Sequence, residues 1–173
     1  MKKIIPLILF LVIAAFLFLS LNSNPSKLPS PLLGKMFPSI EGKDFYSDKT
    51  IKVSSLFDNK MTLINVWASW CTTCRKEHQM LMNLAKKTDL QLIGINYKDS
   101  RDNGEKYLKI IGNPFDHIIF DPDGKIGIDL GITGTPETFL ISTDGLVLYK
   151  YIGEIDSRVW EDNFAIHLNK SES

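Results

Sequence analysis

Apolar and polar positions divide this chain into three regimes. The first is a continuous apolar run from Ile4 to Leu21, broken only by Pro6 and Ser20 and preceded by Lys2 and Lys3. As a helix it would be roughly 27 Å long, close to the thickness of a bilayer core. It has no polar face, which argues against a buried helix of a soluble domain. A cleaved signal has a shorter apolar region ending in small residues, and Leu21-Asn22-Ser23-Asn24-Pro25 is a poor cleavage site. Residues 1–21 therefore read as an uncleaved membrane anchor, with the lysines inside and the rest of the chain on the far, oxidising side. The second regime, residues 22–33, is rich in Ser, Pro and Asn and reads as a flexible linker of roughly 20 Å.

In the third regime, residues 34–173, short apolar runs alternate with amphipathic ones. Leu63, Ile64, Val66, Trp67 and Ala68 read as a buried strand, and Leu90 to Tyr97 as a second, parallel one. Between them the spacing predicts a helix from about Cys71 to Lys87. Met80, Leu81, Leu84 and Ala85 define its buried face, with Cys74 and Glu77 in the same arc. Arg75, Lys76, Gln79, Asn83 and Lys86 lie opposite. Asp99 to Asn103 reads as a polar loop, and Glu105 to Ile111 as a short helix stopped by Gly112-Asn113-Pro114. His117 to Phe120 is a candidate strand closed by a turn at Asp121-Pro122-Asp123-Gly124. Glu137 to Ser142 and Leu146 to Ile152 flank Thr143-Asp144-Gly145 as an antiparallel hairpin. Ser157 to Asn169 closes the chain as a helix capped by Asp156 or Ser157. The predicted fold class is α/β, a mixed sheet with helices on both faces.

The chemistry sits at the junction of the first strand and helix. Cys71 and Cys74 are the chain's two cysteines. A strand that delivers Cys-x-x-Cys to a helix N-terminus places a thiol where backbone N–H groups and the helix dipole favour a thiolate, the nucleophile of disulfide exchange. Two cysteines cannot form a disulfide scaffold, so the fold must rest on its apolar core. Glu77, one turn below Cys74 on the inward face, is a carboxylate that needs a reason to be there. It is the natural acceptor for the Cys74 proton. Net charge is zero, and without a long basic stripe nucleic acid is not an expected partner. Cys71, Cys74 and His78 form a conceivable metal trio, the alternative being a copper-binding chaperone. His78, however, lies about two turns down the helix from Cys71, so no metal site is expected. His117 and His167 read as edge or surface residues.

The segment Trp67-Ala68-Ser69-Trp70-Cys71-Thr72-Thr73-Cys74 resembles the thioredoxin superfamily. With Gly94–Asp99, Asp129–Ile141 and Arg158–Glu161 it resembles more narrowly the DsbE/CcmG family of membrane-anchored thiol:disulfide interchange proteins. The resemblance covers nearly all of the domain from Gly34. It implies a thioredoxin-like fold in the periplasm of a bacterium, held by a single pass through the inner membrane. The implied substrate is apocytochrome c, whose haem-binding cysteines are reduced during cytochrome c maturation. The implied electron donor is a membrane thiol transporter of the DsbD/CcdA type, with other cytochrome c maturation proteins as partners. No cofactor is implied beyond the Cys71–Cys74 redox disulfide. Carried over, Cys71 attacks and Cys74 resolves. Pro136 matches the cis-proline opposite the dithiol, and Trp70, Thr135 and Pro136 would meet substrate. Glu77 and Glu137 match the acidic residues around the site, Glu137 raising the thiol pKa values. Two positions depart from the family: Thr72 stands where Pro is usual, and Thr133 where Tyr is frequent. A general periplasmic disulfide reductase is the other outcome compatible with the motif.

Overall fold

A computed structural model describes residues 4–21 and 30–168 of the chain. The N-terminal helix α1 spans Ile5–Leu21. In the domain, β1 (Glu41–Asp44) and β2 (Thr50–Lys52) lead through a 3-10 turn to β3 (Thr62–Trp67), α2 (Thr72–Lys87) and β4 (Gln91–Tyr97). Then follow α3 (Arg101–Ile111), β5 (His117–Asp121), α4 (Lys125–Asp129), β6 (Glu137–Ile141), β7 (Val147–Ile152), α5 (Ser157–Asn163) and α6 (Ala165–Leu168).

The strands form one sheet in the order β2-β1-β5-β4-β3-β6-β7. β3 lies parallel to β4 and antiparallel to β6, and β4 lies parallel to β5. β3 is buried along its whole length because both its neighbours and both faces are covered. Its side chains alternate between two cores. Leu63 and Trp67 join α2, α3 and the closing helices through Leu81, Leu84, Tyr107 and Trp160. Ile64 and Val66 join Phe37, Val53, Ile126 and Leu130 on the other face. The α/β mixed sheet anticipated from the pattern is thus present, with thioredoxin-like topology.

Several details differ from the sequence reading. α3 begins at Arg101, capped by Ser100 accepting from Asn103 N at 3.3 Å, so part of the expected loop is helix. The closing helix is interrupted at Phe164, buried and stacked on Trp160, and its cap is Asp156. In α2, Leu81 and Leu84 are buried, but Met80 is half-buried and Ala85 exposed in the last turns, while His78 turns inward.

The expected transmembrane span requires correction. Among the described residues no helix is long and apolar enough to cross a membrane. Ile4 falls in the turn before α1, which leaves a helix of 17 residues, roughly 26 Å against a core of about 30 Å. Its large apolar side chains from Ile5 to Leu19 are nonetheless exposed. Lys2, Lys3 and linker residues 22–29 lie outside the described residues. Residues 30–33 form a turn in which Leu32 packs against the second core.

Candidate active site

The chain leaves the end of β3 at Trp67, turns through Ser69 and Trp70, and enters α2. Asp99, two residues past the end of β4, fixes this turn: its carboxylate accepts from Ser69 N at 2.6 Å and Ser69 Oγ at 2.8 Å, while Asn96 Nδ2 donates to it at 3.0 Å. The Trp70 indole N–H donates to the Lys98 carbonyl at 2.9 Å, yet the residue stays 59% exposed. That leaves an aromatic face open beside the cysteines.

Cys71 is the N-cap of α2, and its sulfur accepts from Cys74 N at 3.0 Å. A sulfur in that position satisfies one of the free helix N–H groups and faces the positive end of the dipole, which stabilises it as a thiolate once reduced. In this structure Cys71 and Cys74 are joined as a disulfide, with Cα atoms 5.3 Å apart. Cys71 is 6% and Cys74 2% exposed, so Cys71 is the less buried of the two residues. Thr72 is exposed and is the first residue of α2 after the cap.

Glu77 is buried one turn below Cys74, at 1% exposure. Its carboxylate accepts from Asn65 Nδ2 at 2.8 Å and from Ile155 N at 3.0 Å. Burial pushes its pKa up to about 7; the two hydrogen bonds restrain that rise and the charge of Glu154 adds to it. Asn65 also donates to Thr138 Oγ1 at 3.0 Å, its partner across the β3–β6 register. The carboxylate below the dithiol is thereby tied to the strand that carries Glu137.

The Thr135–Pro136 peptide is cis. Val66 pairs with Glu137 in the antiparallel register, which sets Pro136 level with Trp67 at the end of β3 from which the cysteine turn departs. Thr133 is exposed, Thr135 half-buried and Pro136 buried. Glu137 is fully buried but does not act as a bare negative charge. Lys150 Nζ lies 2.8 Å from its Oε2, and its Oε1 accepts from Thr133 N, Thr133 Oγ1 and Gly134 N at 2.6, 2.6 and 3.1 Å.

His78 does not join the cysteines. Its Nε2 lies 3.1 Å from the Gly112 carbonyl, and its ring packs edge-on to Tyr107. Burial lowers its pKa and favours the neutral ring. Among the described residues no group of three or more His, Cys, Asp or Glu side chains could hold a metal ion.

Sequence reasoning brought Cys71, Cys74 and Glu77 to one place, and the structure adds Asn65, Asp99 and Lys150. Asn65 interrupts an otherwise apolar strand, a signal that was present. Lys150 had none, since a lysine in an alternating strand usually faces water.

A family model described as Redoxin matches residues 32–164. The thiol:disulfide interchange protein DsbE of Escherichia coli strain K12 is 43% identical over 170 residues, covering 92% of this chain and 89% of that protein. The DsbE of Vibrio cholerae serotype O1 is 42% identical over 171 residues, covering 95% and 92%. A crystal structure of a DsbE-type thiol:disulfide interchange protein from Chlorobium tepidum superposes with a TM-score of 0.60 at 24% identity, covering 82% of this chain and 95% of that one.

Proposed function

The chain belongs to the Redoxin family and, within it, to the DsbE thiol:disulfide interchange proteins, and from that membership we propose that this thiol–disulfide oxidoreductase reduces the haem-binding cysteines of apocytochrome c during cytochrome c maturation. The observation that carries the chemistry is Cys71 at the N-cap of α2, with its sulfur taking the Cys74 N–H. In the reduced protein, the Cys71 thiolate attacks one sulfur of the substrate disulfide. That bond breaks, a substrate thiolate leaves, and a mixed disulfide joins substrate to Cys71. Cys74 gives its proton to Glu77, directly or through water, and its thiolate attacks Cys71 Sγ. The Cys71–Cys74 disulfide closes, the second substrate thiol is freed, and two electrons have passed to the substrate.

Glu77 suits this role because its pKa of about 7 lies closer to a thiol's usual value of roughly 8.5 than an ordinary carboxylate's does. Substrate lies as an extended segment against Thr135 and Pro136, with Trp70 as an apolar platform. The exposed apolar surface of α1 supports attachment to the inner membrane, with the domain in the periplasm. There a membrane thiol transporter of the DsbD/CcdA type would restore the dithiol.

The test is a trap. Cys74→Ser should accumulate mixed disulfides through Cys71, whereas Cys71→Ser should accumulate none. Complexes dominated by apocytochrome c joined through its haem-binding cysteines sustain the proposal. A broad set of unrelated periplasmic proteins would replace it with a general disulfide reductase.

A further inference from the structure

We infer that Lys150 is a positioning residue for substrate: with Glu137 it clasps the loop of residues 131–134, which carries Thr135 and Pro136. The inference rests on the proposal above that substrate docks against Thr135.

Lys150 stands in β7 opposite Phe139 of β6, one diagonal step from Glu137. The two side chains are 5% and 0% exposed, so each charge must find its partners inside the protein. Lys150 Nζ meets Glu137 Oε2 at 2.8 Å, donates to the Gly131 carbonyl at 2.8 Å and lies 5.1 Å from the centre of the Phe139 ring. The other carboxylate oxygen takes Thr133 N, Thr133 Oγ1 and Gly134 N. The hydrogen bonds of both charges therefore converge on one loop.

Packing holds only the start of that loop, where Ile132 lies against the second core. A Cβ added at Gly131 or at Gly134 would meet no atom within 4 Å. Gly131 has a φ of +61°, a conformation that glycine reaches easily but does not prefer. Backbone bonds fix the start of the loop, through Gly131 N to Ile128 O and Ile132 N to Gly127 O. Past that point, the Glu137 carboxylate is what binds residues 133 and 134, and Lys150 aims and neutralises that carboxylate. The Thr133 hydroxyl is turned inward to Glu137, so the side chain at this position braces the loop from within.

The test compares Lys150→Met and Lys150→Arg with the parent. It uses an oxidised Cys-x-x-Cys-His peptide and cystamine, a disulfide too small to pair with a strand. Loss of the clasp should speed amide exchange at Thr133 and Gly134 and raise the peptide KM about tenfold, the worth of one charge-assisted hydrogen bond. kcat, cystamine reduction and the Cys71 thiol titration should stay at parent values, and Lys150→Arg should restore the KM. If Lys150→Met does not fold, Glu137→Gln with Lys150→Met leaves no buried charge unpaired and is read by amide exchange at Thr133 and Gly134 and by the peptide KM alone. Unchanged exchange would overturn the clasp itself. Faster exchange with an unchanged peptide KM would keep the clasp and overturn docking at Thr135. Equal losses on peptide and cystamine, with a shifted Cys71 titration, would overturn positioning in favour of an electrostatic effect on the dithiol.

Discussion

Glu77 carries a cost that its neighbours only partly offset. Its pKa is about 7 in the fold against 4.5 in the unfolded chain, so folding favours its protonated form. The associated stability is fully present below about pH 4.5 and is lost as pH rises from there to about 7. The amount is on the order of 3 kcal/mol. Glu77→Gln mimics the protonated side chain and should remove this loss. Urea denaturation of the oxidised protein at pH 5 and pH 8 should show a falling midpoint in the parent and a flat one in the variant. The same variant should slow resolution of the mixed disulfide and leave the first attack by Cys71 near the parent rate. A parallel fall in both stability profiles would show that another group titrates. Asn65→Ala should move the parent's stability transition to higher pH, because it removes a donor to the charged carboxylate.

At the scale of elements, the strand–turn–helix that carries the dithiol was legible because local signals agreed: a buried apolar run, a cap, and a helical period. Where they conflicted, packing decided. Asp99 to Asn103 reads as a loop, yet α3 begins at Arg101 and its Gly104 lies against Phe45, where a Cβ would come within 3.0 Å of the ring. The glycine thus lets α3 sit close to the sheet, and no local propensity reveals that. The pairing of Asn65 with Thr138 depends on register between strands far apart in the chain, and that of Lys150 with Glu137 on a hairpin register shifted by an irregularity at Leu140 and Ile141, so neither polar link could be read along the chain. Gly94 in β4 is the sharpest case: a Cβ there would lie 2.7 Å from Trp67 Nε1 and 2.9 Å from Phe115. Gly94→Ala should destabilise the domain by about 1–3 kcal/mol through overpacking, measured as a lower urea midpoint. An unchanged midpoint would mean that the Trp67–Phe115 stack yields freely.

For the whole molecule, the contrast is between a domain with two closed cores and a helix whose apolar side chains are all but uncovered. An exposed apolar surface of that kind needs a covering. Fractionation should find the full chain with the membrane and resistant to a salt wash, its domain open to protease from the outer side. A soluble chain beginning near Asn22 would show instead that the segment is removed. The dithiol has a consequence for the domain as a whole. Its bond closes a ring across a sequence separation of three, so it constrains very little of the denatured ensemble. Chain entropy assigns such a ring roughly 2 kcal/mol, against about 4.7 for a loop of 100 residues. The domain gains little from holding its disulfide and loses little on giving it up, so it can pass between its two redox states many times without passing through an unfolded one.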